Sequence, residues 1–80
     1  MPVFYFDFDD GASLSRDEIG LELSDEQTAR DQGAIALGAM AQEYVPTDVA
    51  QKNISLWVRN DTNEIICQVA LSFTIRKIPR

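Results

Sequence analysis

Carboxylates and hydroxyls are the main reactive side chains of this chain, which has 13 Asp and Glu residues and no His to activate a nucleophile. The densest group follows an apolar start, Val3-Phe-Tyr-Phe-Asp7-Phe-Asp9-Asp10-Gly11. An Asp-x-Asp pair at the end of a hydrophobic strand can hold Mg²⁺ and attack a phosphoryl group. That chemistry needs a parallel sheet with further Lys and Asp motifs, more than 80 residues can hold. A calcium loop fits only in part. Asp7 and Asp9 stand in ligand positions with Glu18 eleven residues after Asp7, but Gly11 falls where an acid or Asn is needed, and Ala12 where Gly is needed. Ser13, Ser15 and Thr74 have no His to act as their base. The single cysteine, Cys67, leaves no partner for a disulfide or a CxxC motif, and it is expected as a small buried hydrophobe. The expectation is therefore a protein that is not an enzyme, with no metal site, no cofactor and a solvated acidic turn at Asp7–Asp10.

Charge narrows the partners. The net charge is −6, and residues 1–31 carry nine acidic against two basic side chains, whereas residues 51–80 carry two against five. Nucleic acid is not expected, because neutralising phosphates takes clustered Lys and Arg. The basic ending Arg76-Lys77-Ile78-Pro79-Arg80 suits protection of a strand terminus instead. Arg16 and Arg30 are expected in surface ion pairs with Asp17 and Glu18. No membrane contact is expected either. The longest small and apolar run, Ala34–Ala41, is far short of the ~20 residues that span a bilayer. With no signal peptide visible, a cytoplasmic setting is expected.

The elements that position these residues follow from hydrophobic period. With 45% hydrophobic and 25% charged residues, the composition is that of one globular domain over residues 1–80. Val3–Phe8 alternates, with Phe4, Phe6 and Phe8 inward and Val3, Tyr5 and Asp7 outward. Asp9-Asp10-Gly11 turns the chain, and Ile19–Leu23 returns as a short strand with a bulge at Gly20. Ser24 is expected to cap a helix over Asp25–Tyr44 with Gln27 reaching back. Its stripe is Ala29, Gly33, Ala36, Leu37, Met40 and Tyr44, and Pro46 ends it. Ile54–Arg59 forms the next strand, with Ile54, Leu56 and Val58 inward and Trp57 outward. The turn Asn60–Asn63 leads into the most regular segment, Glu64–Lys77, about 14 residues against a usual five or six. The fold class is α+β: a two-layer sandwich, one helix on a mostly antiparallel sheet, in the order β-β-α-β-β.

Tyr5 and Trp57 on the outer sheet face, and Ile35 on the second face of the helix, are the candidate interaction surface. Aromatic side chains commonly anchor protein contacts. The long last strand also outruns its six-residue partner by roughly 20 Å at ~3.3 Å per residue, which would leave backbone groups for a homodimer to pair.

Tyr5-Phe6-Asp7, Asp10-Gly11 and Arg16-Asp17-Glu18-Ile19-Gly20-Leu21-Glu22-Leu23 together resemble a family of very short bacterial proteins known only as a domain of unknown function. Its members share an aromatic first strand, an Arg-Asp-Glu-x-Gly-x-Glu-Leu block, an Ala-rich helix and a C-terminal hairpin. The resemblance implies an architecture and a bacterial setting, and no activity. A more distant likeness in element order is to HicB-like antitoxins. The leading expectation is an uncharacterised small acidic interaction module that acts by protein–protein contact or self-association. The alternative is an HicB-like antitoxin or regulator that binds a small basic partner protein.

Overall fold

The computed structural model describes residues 1–45 and 50–80; Pro46 lies outside them. Seven elements follow in order: β1 (Val3–Asp9), β2 (Leu14–Ser15), β3 (Leu21–Glu22), α1 (Glu26–Met40), a 3₁₀ turn (Ala41–Tyr44), β4 (Gln51–Arg59) and β5 (Ile65–Thr74). Among the described residues the protein is α+β, with one α-helix and a five-stranded sheet whose pairs are all antiparallel. The sheet runs β2-β1-β4-β5, and β3 joins β1 beside β2.

Alternation sorts the side chains as expected. Phe4, Ile54, Leu56 and Val58 are buried against Ala29 and Leu37 of α1, and Phe6, Phe8, Val69, Leu71 and Phe73 pack around them. Gly33 lets the helix approach, since a Cβ there would stand 3.3 Å from Val58 Cγ2. The Phe8 and Tyr44 rings, 5.0 Å apart, pin the far end of the helix to β1. Ala36, expected on the buried stripe, is exposed.

Several boundaries depart from the sequence reading, among them the end of the α-helix, which stops at Met40 and tightens into the 3₁₀ turn over Ala41–Tyr44. The helix starts one residue later than its expected cap: Asp25 accepts the Thr28 N–H at 2.8 Å, while Gln27 reaches forward to Asp31. Asp25 brings a full negative charge, which suits a helix N-terminus. The expected Ile19–Leu23 strand shrinks to Leu21–Glu22, because Gly20 turns the backbone at φ 79° just before it. The strand overhang is absent. The last strand has 10 residues, its partner has 9, and they pair from Gln51 opposite Thr74 to Arg59 opposite Ile65. Gln51–Asn53 joins the ladder through backbone bonds, which an apolar period does not report.

The β1 edge is interrupted. Val3 and Phe4 pair with Glu22 and Leu21, and Phe8 and Asp9 pair with Ser15 and Leu14. Residues 16–20 therefore stand opposite residues 5–7, too many for a ladder. The Asp17 carboxylate fills the gap by accepting the Phe6 N–H at 3.1 Å.

Candidate functional site

On the sheet face away from α1, register brings together residues far apart in sequence. Tyr5 lies opposite Arg59, and Asp7 opposite Trp57. Asp7 is only 6% exposed and Arg59 only 8%. They meet diagonally, with Arg59 Nε donating to Asp7 Oδ2 at 2.7 Å and Nη2 to Oδ1 at 3.1 Å. This two-point geometry matches a guanidinium to a carboxylate. The segment 14–20 folds over the pair. The Asp17 N–H donates to Asp7 Oδ1 at 2.9 Å, and Arg59 Nη2 donates to the Asp17 carbonyl at 2.9 Å. Arg59 Nη1 reaches Asn63 Oδ1, which also accepts from Arg16 Nη2. Asn63 can turn its amide there because its backbone sits at φ 68°, a conformation Asn tolerates better than most residues.

The electrostatics follow from these contacts. Burial pushes the Asp7 carboxyl up, but the Arg59 hydrogen bond, the Asp17 N–H and the charges of Arg59 and Arg16 outweigh it and hold the group below its ordinary 3.8. Asp17 follows the same logic: burial raises it, while the N–H groups of Gly20, Ile19 and Phe6, with Arg59 nearby, bring it down. The Asp7 hydrogen bond raises Arg59. A carboxylate in this state, its oxygens occupied, is a poor general base.

These contacts correct the reading of a solvated acidic turn. Asp7 sits inside β1 and is the buried half of an ion pair. The other acids of the partial calcium loop are also placed: Asp9 caps Gly11 N–H, Asp10 caps Ala12 and Ser13, and Glu18 is exposed. Asp17, expected in a surface ion pair, ties the edge of β1 to its own turn. Arg30 has its contact with Asp31 at 3.9 Å rather than with Asp17 or Glu18. Cys67 is half-buried on the helix side, where burial pushes its thiol up.

The outer face is not filled. A cleft of about 270 Å³ is lined by Asp7, Leu14, Arg16, Trp57, Arg59, Asn63 and Ile65. Leu14 and Ile65 on its wall are 60% and 61% exposed, and Trp57 is half-buried. Tyr5 and Trp57 share this face, as expected, but the Tyr5 ring is occupied: Arg59 Cζ lies 4.7 Å over it, and Gly20 packs against its edge. Ile35, 65% exposed on the helix, belongs to the opposite side of the molecule and does not join the cleft. Leu14, Arg16 and Asn63 were not foreseen as neighbours of Trp57. Their only signal in the sequence was a pair of charges, Asp7 and Arg59, on the outward parity of two strands.

Among the described residues no helix is long and apolar enough to cross a membrane. A search of the curated proteins and of the solved structures returns no match. A family profile does match, over residues 3–72, from the first residue of β1 almost to the end of β5. The chain therefore belongs to the family described as "Domain of unknown function (DUF6894)".

Proposed function

We propose that this chain is a non-enzymatic interaction module that acts by protein–protein contact, with another protein or with itself. In this reading the two-layer sandwich of one helix on a five-stranded sheet is the scaffold and the outer sheet face around Trp57 is a contact surface. The observation that carries it is the cleft wall, where Trp57 and Arg16, residue types that anchor interfaces, stand beside the exposed apolar side chains of Leu14 and Ile65. The occupied oxygens of Asp7 favour contact over catalysis.

Charge favours a second reading, the occlusion of a small basic protein, because Glu18, Glu22, Asp25, Glu26 and Asp31 are all exposed. Affinity capture from the native cell separates the two, using the wild type beside Leu14→Asp and Trp57→Ala, each shown to be folded by circular dichroism. We expect both variants to lose the captured protein. Capture that survives both substitutions but disappears in high salt, with a small basic protein as the prey, favours the acidic surface. Hydrolase activity of the purified chain that follows its carboxylates would overturn both.

A further inference from the structure

The two edges of this sheet are built differently. At the β1 edge, β2 and β3 are two residues each, and Asp17 plugs the space between them. Short pieces, a bulge and a charged side chain are the usual guards against stray strand pairing. At the other edge lies β5, and among the described residues its sole strand partner is β4. From Ile65 to Ile75 the sequence is Ile-Ile-Cys-Gln-Val-Ala-Leu-Ser-Phe-Thr-Ile, with no charge, no Pro and no Gly. The bulge at Ile65 and the basic residues from Arg76 on lie only at its ends, and the uncharged, regular edge between them is a template for another strand.

The ladder shows which groups are free. Ile75 N–H donates to the Ala50 carbonyl at 2.8 Å, so Ile75 turns its backbone toward β4. Antiparallel ladders alternate. Val69, Leu71 and Phe73 therefore turn inward too, and the N–H and C=O groups of Gln68, Ala70, Ser72 and Thr74 point away from the sheet.

We infer that β5 pairs antiparallel with β5 of a second copy of this chain, about a two-fold axis at Ala70. This rests on the reading of the chain as a contact module and names one partner, a second copy, on a surface separate from the Trp57 cleft. Ala70 is the midpoint of the uncharged run. In this register Ala70 meets Ala70, Gln68 meets Ser72 and Val69 meets Leu71 of the second copy, with about six backbone hydrogen bonds formed at the centre. Val69, Leu71 and Phe73 are half-buried on the helix side, and Leu71, Val69 and Cys67 of the second copy extend the same apolar row over them. Charge complements the ends. Glu64 falls opposite Arg76 of the second copy, and again at the other end by symmetry. The bulge where Arg59 pairs with Ile65 shifts Glu64 by one residue, ~3.4 Å along the strand, which an arginine side chain spans. Because the other edge is interrupted, the pairing closes as a dimer instead of propagating.

Sedimentation equilibrium and amide exchange test the inference together. The wild type is expected at twice its 9.0 kDa monomer mass at micromolar concentration, with the amides of Gln68, Ala70, Ser72 and Thr74 protected more strongly as concentration rises. Ala70 is exposed, so Ala70→Lys leaves the monomer fold in place but sets two like charges face to face on the axis. It should halve the measured mass. If that variant fails to fold, concentration-dependent protection of those four amides in the wild type decides alone. A monomer at high micromolar concentration, with those amides exchanging fast throughout, overturns the pairing and leaves contact through Trp57 to the capture experiment. A dimer that Leu14→Asp abolishes and Ala70→Lys spares also overturns it, and assigns self-association to the outer face.

Discussion

Asp7 and Arg59 organise the outer face, and they do so as a unit. Removing one member of a buried, hydrogen-bonded pair leaves the other charged and unmatched, at a cost of about 3–5 kcal/mol. For a domain of this size that is a large share of its stability. We therefore expect Arg59→Leu to unfold the protein or to lower its urea midpoint severely, while Trp57→Phe shifts it little. Acid should act through the same residues. Asp7 and Asp17 titrate below the ordinary carboxylate value in the folded chain, so the unfolded chain binds protons more readily. Their stabilisation is complete above about pH 5, and it is lost as pH falls through about 3.9 toward the lower folded values. Urea melts from pH 6 to 2.5 should show this fall, and Asp17→Asn should flatten it. An equally steep acid limb in Asp17→Asn would mean that other carboxylates carry the effect.

Among the elements, α1 shows both what a period reveals and what it hides. Ala29, Gly33 and Leu37 are buried as the helical spacing requires, because burial on a helix depends on which side faces the sheet. Ser24 and Asp25 can both accept an N–H, so the sequence offers either as the cap; the extended backbone at Asp25 (φ −162°, ψ 177°) and its charge place the cap there. Glycines separate in the same way. A Cβ at Gly38 would meet nothing within 4 Å, so Gly38→Ala should stabilise the fold by about 1 kcal/mol through helix propensity alone. At Gly20 a Cβ would lie 2.6 Å from Val3 Cγ1, and the backbone sits at φ 79°. Gly20→Ala should be destabilising, since it strains the turn that places Asp17. Thermal melts of the two variants should move in opposite directions. A Gly38→Ala melt at or below wild type would show that the exposed helix face contributes something that Ala disturbs.

At the scale of the whole molecule, the asymmetry of the sheet matters most. One edge is broken and plugged by Asp17, the other is continuous, and the outer face holds a cleft beside a buried ion pair. The hydrophobic period by itself determined the α+β class, the inward faces of β1, β4 and β5, the helix stripe and the outward position of Trp57. These depend on neighbours a few residues apart, and a period of two or of 3.6 residues records them directly. The same sequence marked Asp7 and Arg59 as charges on outward-facing strand positions, but not as partners. Pairing them needed the register of β1 against β4, which brings together residues 52 positions apart. Tertiary structure also decided the length of β5, because strand ends are set by backbone bonds to β4, the shortening of the second strand to β3, and the pairing of Leu14–Ser15 with β1 as β2. It alone decided that Asp7, Arg59 and Asn63 form one hydrogen-bonded group. A short-range pattern shows which way a side chain faces; which residue it meets there is settled by the packing of the whole chain.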